Sequence, residues 1–308
     1  MRIAILGAGA MGLLFGSYLA KNNEIYLVDV IDKVVEHVQK NGVVVVEKDG
    51  SSNTFHLHAY LDTKNLPKMD LVIVFVKSMF TIQALETNKN LIGKDTYLMT
   101  LQNGAGHESK LLKFQDKQHV IIGSTQHNSS ILEIGVINHG GSGISSISLL
   151  DKNNEFITDL AENMTSCGIE CQIADNVQYQ IWKKLFTNTA ASSLTGLLQV
   201  PLGFIHDSPN ANKLMRELAR EAVTVANGLG LDFKLDEVID DVEKVLIGAP
   251  NGYTSIYADL RDGRRCEVDT ISGSVVDAAE SLSIDVPFHR FVTLAIHAME
   301  DKNRQEKA

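Results

Sequence analysis

The sequence predicts an α/β fold, with an N-terminal doubly wound, mostly parallel sheet followed by an all-helical C-terminal domain. Three observations carry this. Short apolar runs alternate with helix-period segments from residue 2 to residue 123. One of those runs, 71–76, is continuously apolar, as a strand buried on both faces must be. Past residue 176 strand signals nearly vanish while helical periodicity continues.

Residues 2–6 form a short strand ending at Gly7, 11–21 a helix, and 25–28 a second strand. The segment 33–41 carries Val34, Val35 and Val38 at helical spacing. Residues 43–46 and 54–60 read as a hairpin around Asp49-Gly50. Helix 81–91, strand 97–101, helix 108–114 and strand 120–123 continue the alternation. In the second half 178–198, 210–227, 236–247, 267–282 and 288–301 read as helices, with Pro201, Pro209, Pro250 and Pro287 in the gaps. Two domains follow, 1–175 and 176–308, and the expected place for an active site is the cleft between them.

The 308 residues are ample for two cores at ~150 residues per domain. Lys and Arg number 28 against 38 Asp and Glu, a net charge of −10. That balance argues against nucleic acid as a partner, because a nucleic-acid face must replace phosphate counterions. No apolar run reaches the ~18 residues of a membrane-spanning helix, so no membrane partner is expected. Cys167, Cys171 and Cys266 are too few for a disulfide framework and fit a reducing cytoplasm. Cys167 and Cys171 lack a second ligand pair, so no metal is expected. Arg2, the apolar stretch after it and Ala20 superficially resemble a signal peptide, but the glycines inside that stretch favour another reading.

Those glycines form Gly7-Ala8-Gly9-Ala10-Met11-Gly12, the G-x-G-x-x-G pattern between a strand and a helix. The first permits a tight turn, the second lets a pyrophosphate approach the backbone, and the third lets helix and strand pack closely. Free N–H groups at the helix start, around Ala10 and Met11, then face the phosphates. This defines a Rossmann-type dinucleotide site. Asp29 ends the second strand, where a carboxylate accepts hydrogen bonds from ribose hydroxyls and repels a 2′-phosphate. The stretch Asp29-Val30-Ile31-Asp32-Lys33 contains no arginine, so NAD is expected over NADP. Lys77 and Asn103 follow two further strands, at the carboxyl ends where doubly wound sheets bind ligands.

In the helical half, residues 181–195 are apolar around most of the circumference. Lys184, Asn188 and Ser192 are spaced i, i+4, i+8 along one face. A polar stripe of this kind suits a wet cleft. A second helix, expected from Glu267, carries Val268, Ile271, Val275, Ala279 and Leu282 on its apolar side and Glu267, Thr270 and Ser274 beside them. Ser255 lies upstream in Tyr253-Thr254-Ser255. His107 and His127 are candidates for a histidine-based mechanism, but neither has an identifiable carboxylate partner by sequence. A nicotinamide-sensing protein without turnover is a different class, which would not need a proton donor such as Lys184.

With the glycine loop, Lys77, Asn103-Gly104, Trp182-Lys183-Lys184, Asn188, Ser255 and Glu267 in this order, the chain resembles the ketopantoate reductase family. The resemblance covers nearly the whole length. It implies a catalytic lysine at Lys184 and a glutamate near substrate and nicotinamide at Glu267. It further implies substrate contacts at Asn188 and Ser255, and cofactor contacts at Lys77 and Asn103, the latter also close to substrate. A homodimer is implied by the family alone. Three departures stand out: no arginine follows the second strand, Ser192 stands where many members have asparagine, and Leu202 stands where they have asparagine before glycine. The family also includes NAD-dependent D-2-hydroxyacid dehydrogenases of the D-mandelate dehydrogenase type, and Asp29 and Leu202 point to that branch. The expectation is an NAD-linked enzyme interconverting a C3-branched 2-oxo acid and its D-2-hydroxy acid. The alternative is an NADPH-dependent 2-dehydropantoate 2-reductase.

Overall fold

The structure, a computed structural model, describes residues 1–307. It divides into two units, one of residues 1–102 and 107–180, the other of 103–106 and 181 onward.

Unit 1 is built on an eight-stranded sheet. Its strands are β1 (Arg2–Leu6), β2 (Glu24–Val28), β5 (His58–Tyr60), β6 (Leu71–Val74), β7 (Tyr97–Thr100), β8 (Val120–Thr125), β11 (Ser145–Leu149) and β12 (Cys171–Ile173). Their spatial order is β12-β11-β8-β7-β6-β1-β2-β5. The six from β5 to β8 are parallel, while β11 runs antiparallel to β8. Read from β5, those six follow the doubly wound order 3-2-1-4-5-6, with the switch point between β1 and β6. Ile3, Ile5, Leu71, Ile73 and Met99 are fully buried, because helices cover both faces of the central strands. The helices of this unit are α1 (Ala10–Leu19), α2 (Asp32–Asn41), α3 (Thr81–Thr87), α4 (Glu108–Leu111) and α5 (Glu155–Ser166).

The hairpin expected over 43–60 is only half a hairpin. β3 (Val43–Glu47) and β4 (Ser52–Phe55) pair antiparallel, but β5 leaves them to join β2 in the main sheet. β3 instead takes β10 (Val136–Gly141) as its parallel partner, and β9 (Asn128–Glu133) closes a second, four-stranded sheet. This sheet packs on α1, which is why Gly12 to Leu19 are all buried. Tyr18 on α1 donates to Glu47 Oε1 at 2.5 Å, and Glu47 Oε2 lies 2.8 Å from His139 Nδ1. His139 Nε2 lies 3.0 Å from His127 Nδ1. The carboxylate partner that sequence could not find for His127 is thus Glu47, reached through His139. This relay of side chains starts at Tyr18 on the glycine-loop helix.

Unit 2 is helical. Its helices are α6 (Val177–Thr187), which starts in unit 1, then α7 (Ser193–Leu198), α8 (Leu202–Asp207), α9 (Pro209–Gly228), α10 (Leu235–Gly248), α11 (Ser255–Arg261), α12 (Ser272–Leu282) and α13 (Pro287–Lys307). α9 lies at the centre, and its Met215, Ala219, Ala222 and Ala226 are fully buried. The three alanines let neighbouring helices approach closely. Two expectations need correction. The helix expected over 178–198 is broken by a π-helical turn, Asn188–Ser192. The helix expected from Glu267 starts at Ser272, so Glu267 lies in the preceding turn segment.

Candidate active site

The glycine loop sits at the switch point of the sheet. Gly7 has φ +106°, and a Cβ there would lie 2.7 Å from Val76 N, so the loop presses against the segment that leads to Lys77. A Cβ on Gly12 would lie 1.9 Å from Gly7 O, the close packing that forces glycine at this third position. Gly9 is different: nothing lies within 4 Å of its would-be Cβ. The backbone there faces open space at the start of α1, as a pyrophosphate cradle requires. These residues fit a dinucleotide.

Asp29 is bound to the loop through its side chain. One carboxylate oxygen accepts from Ala8 N at 2.6 Å and the other from Ile31 N at 3.0 Å. The side chain is therefore fixed while each oxygen keeps acceptor capacity. Val30 and Ile31 are exposed beside it. Lys77 precedes a short 3₁₀ turn, Ser78–Phe80, whose Ser78 O accepts from Lys110 Nζ at 3.0 Å. Gln102 donates to Val76 O at 2.5 Å, so the strand ends that carry Lys77 and Asn103 are cross-linked.

Asn103 does not begin a plain turn. The segment 103–106 packs with unit 2. Ala105 N donates to Thr270 O at 3.1 Å and Thr270 Oγ1 to Asn103 O at 3.3 Å. Gly104 has φ +103°, and its would-be Cβ lies 1.9 Å from Thr270 O. Both the left-handed backbone and the close approach require glycine there. Thr270 was legible only as part of a helix face, and nothing in the sequence tied it to Asn103.

In unit 2, α7, which follows the helix bearing Lys184 across the turn 188–192, is tied to the two segments bearing Ser255 and Glu267. Thr195 Oγ1 lies 2.8 Å from Thr254 Oγ1, directly before Ser255, and Ser193 Oγ lies 2.7 Å from Ser272 Oγ, at the start of α12. Gly196 allows the approach, since its would-be Cβ lies 2.3 Å from Ile256 Cγ2. Lys184 keeps some accessible surface, yet burial pushes its ammonium down to about 8, and the charge of Glu267 limits the fall. Lys184 and Glu267 thus act on one another electrostatically.

The π-helical turn places an extra residue between Asn188 and Ser192 relative to an α-helix. Ser192 is therefore set back from the i, i+4, i+8 line expected for it, and it is buried. The run Thr187-Asn188-Thr189, followed by Ser192-Ser193, was the available signal, because such residues compete with regular helix hydrogen bonds. Thr189 and Thr195 do so, donating to the carbonyls of Phe186 and Ala191. Leu202 opens α8. Its N–H donates to Gly252 O at 3.0 Å, and its Cδ1 lies 3.2 Å from the would-be Cβ of Gly252. It is buried against the segment leading to Ser255.

A glycine-loop cradle at a Rossmann switch point, together with a helical unit carrying a depressed lysine beside a glutamate, defines a pyridine-nucleotide oxidoreductase. The family described as Ketopantoate reductase PanE/ApbA matches residues 3–152, and its C-terminal part, Ketopantoate reductase PanE/ApbA C terminal, matches 176–300. The 2-dehydropantoate 2-reductase of Streptococcus pyogenes serotype M6 is 29 % identical over 303 residues, covering 97 % of this chain and 98 % of the relative. That of Pyrococcus abyssi is 31 % identical over 295 residues, covering 94 % of each. Among solved structures, D-mandelate dehydrogenase with NADH and anilino(oxo)acetate superposes with a TM-score of 0.92 at 28 % identity, covering 99 % of this chain and 100 % of that one. A PanE/ApbA family ketopantoate reductase from Ralstonia eutropha JMP134 gives 0.89 at 26 % identity, with coverage of 99 % and 100 %. The chain belongs to the ketopantoate reductase family. It is an oxidoreductase acting on 2-hydroxy acids or their 2-oxo forms, with a pyridine-nucleotide cofactor. Among the described residues, no helix is long and apolar enough to cross a membrane.

Proposed function

We propose that the protein is an NAD-dependent oxidoreductase that interconverts a C3-branched 2-oxo acid and its D-2-hydroxy acid, with Lys184 as general acid and base. The observation that carries this reading is the Lys184 ammonium, lowered to about 8 by burial and acted on by Glu267. A lysine at that value exchanges a proton near neutral pH, which an ordinary surface lysine does poorly.

The residues proposed to hold the dinucleotide are Gly7, Gly9, Ala10, Met11 and Gly12 at the phosphates, Asp29 at the adenosine ribose, and Lys77, Asn103 and Glu267 nearer the nicotinamide. When bound, the nicotinamide supplies two electrons as hydride to the carbonyl carbon. As the carbonyl electron pair moves onto oxygen, Lys184 stabilises the growing negative charge and donates its proton there, leaving a neutral amine and a hydroxyl. Solvent returns the proton to the amine. In the reverse direction the neutral amine takes the hydroxyl proton. Asn188 and Ser255 hold the substrate carboxylate and 2-oxo group, and Ser192 and Leu202 shape the pocket for its tail.

The preference for NAD rests on Asp29, fixed by Ala8 N and Ile31 N, and on the lack of arginine in residues 29–33. The preference for an apolar or aromatic C3 branch rests on Leu202, because ketopantoate carries a hydroxyl and a buried hydroxyl without a partner costs about 1–3 kcal/mol. The free thiols Cys167, Cys171 and Cys266 accord with a reducing, cytoplasmic location. The second reading, an NADPH-dependent 2-dehydropantoate 2-reductase, is favoured by the names of the sequence relatives.

A substrate panel with both cofactors separates the two. Benzoylformate or 2-ketoisovalerate with NADH should give a higher kcat/KM than ketopantoate, and Leu202→Asn should narrow the gap. Ketopantoate as the best substrate, with NADPH preferred, establishes the second reading instead.

A further inference from the structure

Glu267 lies in a segment, residues 262–271, that is neither helix nor strand. The backbone oxygen of Glu267 accepts from Thr270 N and Ile271 N at 3.2 and 3.1 Å, forming a local turn, and farther along Thr270 meets Asn103 and Ala105 as described above. That turn does not fix how it is seated on the rest of the unit. At the other end of the turn, around Cys266 and Asp269, one face of α13 provides the seat. Glu300, 6 % exposed, accepts from Cys266 N at 2.8 Å with one carboxylate oxygen. Its other oxygen lies 3.0 Å from His297 Nδ1. His297 Nε2 lies 2.8 Å from Asp269 Oδ1, and Asp269 Oδ2 accepts from Arg265 Nη2 at 3.2 Å. His297 and Glu300 are three residues apart, so they share one side of α13.

Both ring nitrogens of His297 face carboxylate oxygens, which only accept, and imidazole donates from both nitrogens only when it is protonated. An imidazolium between two carboxylates therefore joins the residue before Glu267 to the residue two places after it. Burial works against that charge, but Glu300 and Asp269 outweigh it and hold His297 above the usual histidine range. The other charges acting on Asp269 are Arg265 in its own segment and Asp277 on α12.

We propose that His297 and Glu300 are positioning residues for Glu267, clamping the 266–269 turn onto α13 so that the Glu267 carboxylate is held where it acts on Lys184. The proposal rests on the role given to Glu267 above. Neither residue is asked to touch substrate or cofactor. Removing the clamp should cost turnover far more than dinucleotide affinity, since it loosens only the Glu267 contact near the nicotinamide, while the glycine loop and Asp29 belong to the other unit.

The test uses the full-length protein and the variants His297→Gln, Glu300→Ala, Glu300→Gln and Glu267→Gln. The readouts are kcat, the NADH dissociation constant by fluorescence titration, and amide exchange at residues 266–270. His297→Gln should lower kcat at least about fivefold, leave the NADH constant within about twofold, and speed exchange of the Cys266 amide at least about tenfold. Glu300→Ala should do more. Glu300→Gln, whose amide oxygen can still accept from Cys266 N, should recover part of the loss. If Glu300→Ala fails to fold, the part-exposed His297→Gln still decides. Unchanged exchange in His297→Gln overturns the clamp, as does a parallel loss of kcat and NADH affinity, which marks general destabilisation. If Glu267→Gln keeps full turnover, the role of Glu267 itself fails, and the exchange measurement alone then judges the clamp.

Discussion

Raising the pH should slow reduction and speed oxidation through one group, Lys184. Burial sets its ammonium at about 8, where an ordinary lysine titrates at ~10.5. kcat/KM reports the groups of the free enzyme and is the quantity to follow. In the proposed mechanism reduction needs the protonated form, whose fraction is about 0.9 at pH 7 and about 0.1 at pH 9 for a group at 8. The reductive kcat/KM should therefore fall about tenfold over that interval, whereas a lysine at ~10.5 would lose only about 3 %. Oxidation needs the neutral form, so its kcat/KM should rise about tenfold over the same range. Opposite slopes exclude simple denaturation, which lowers both. Glu267 raises the lysine's value, so Glu267→Gln should move both limbs to lower pH. The assay is the change in nicotinamide absorbance, followed in both directions with and without the substitution. Flat profiles from pH 7 to 9, or a shift to higher pH in Glu267→Gln, would refute the reasoning. Lys184→Ala, expected to lose at least about 10² in kcat, should also lose the limb.

Three further outcomes follow from the geometry. NADH should exceed NADPH in kcat/KM by at least about tenfold, because a 2′-phosphate near Asp29 meets a like charge worth on the order of 1–4 kcal/mol at about 4 Å; equal use of the two cofactors in the panel would contradict it. Gly12→Ala drives a methyl against Gly7 O at 1.9 Å, so it should destabilise by at least about 1–3 kcal/mol in a denaturant melt and abolish NADH binding. His289 is fully buried, and burial lowers it to about 4. The unfolded chain then binds the extra proton first, so stability is full above about pH 6.5 and falls by up to about 3 kcal/mol towards pH 4; His289→Phe should flatten that slope in acid melts.

Some parts of this protein needed no tertiary information. The glycine loop was readable because its three positions are demanded by local backbone geometry, as Gly7 at φ +106° and the contact of Gly12 with Gly7 O show. The central strands were readable because burial on both faces leaves continuous apolar runs such as 71–74. Other parts were decided by partners far along the chain. β3 pairs with β10, some ninety residues away, and no local pattern announces that choice. The π-helical turn shifts Ser192 off its expected line through hydrogen bonds that only the packed helix selects. Glu267 was legible as a residue, but its setting was not, because its turn is held by His297 and Glu300 on the last helix. Asn103 likewise depends on Thr270, 167 positions later. The sequence by itself determined the residue types and the local turns that need glycine, since steric limits act between neighbours. Only the tertiary structure decided which distant groups meet and what burial does to Lys184, because desolvation and charge depend on everything packed around a side chain.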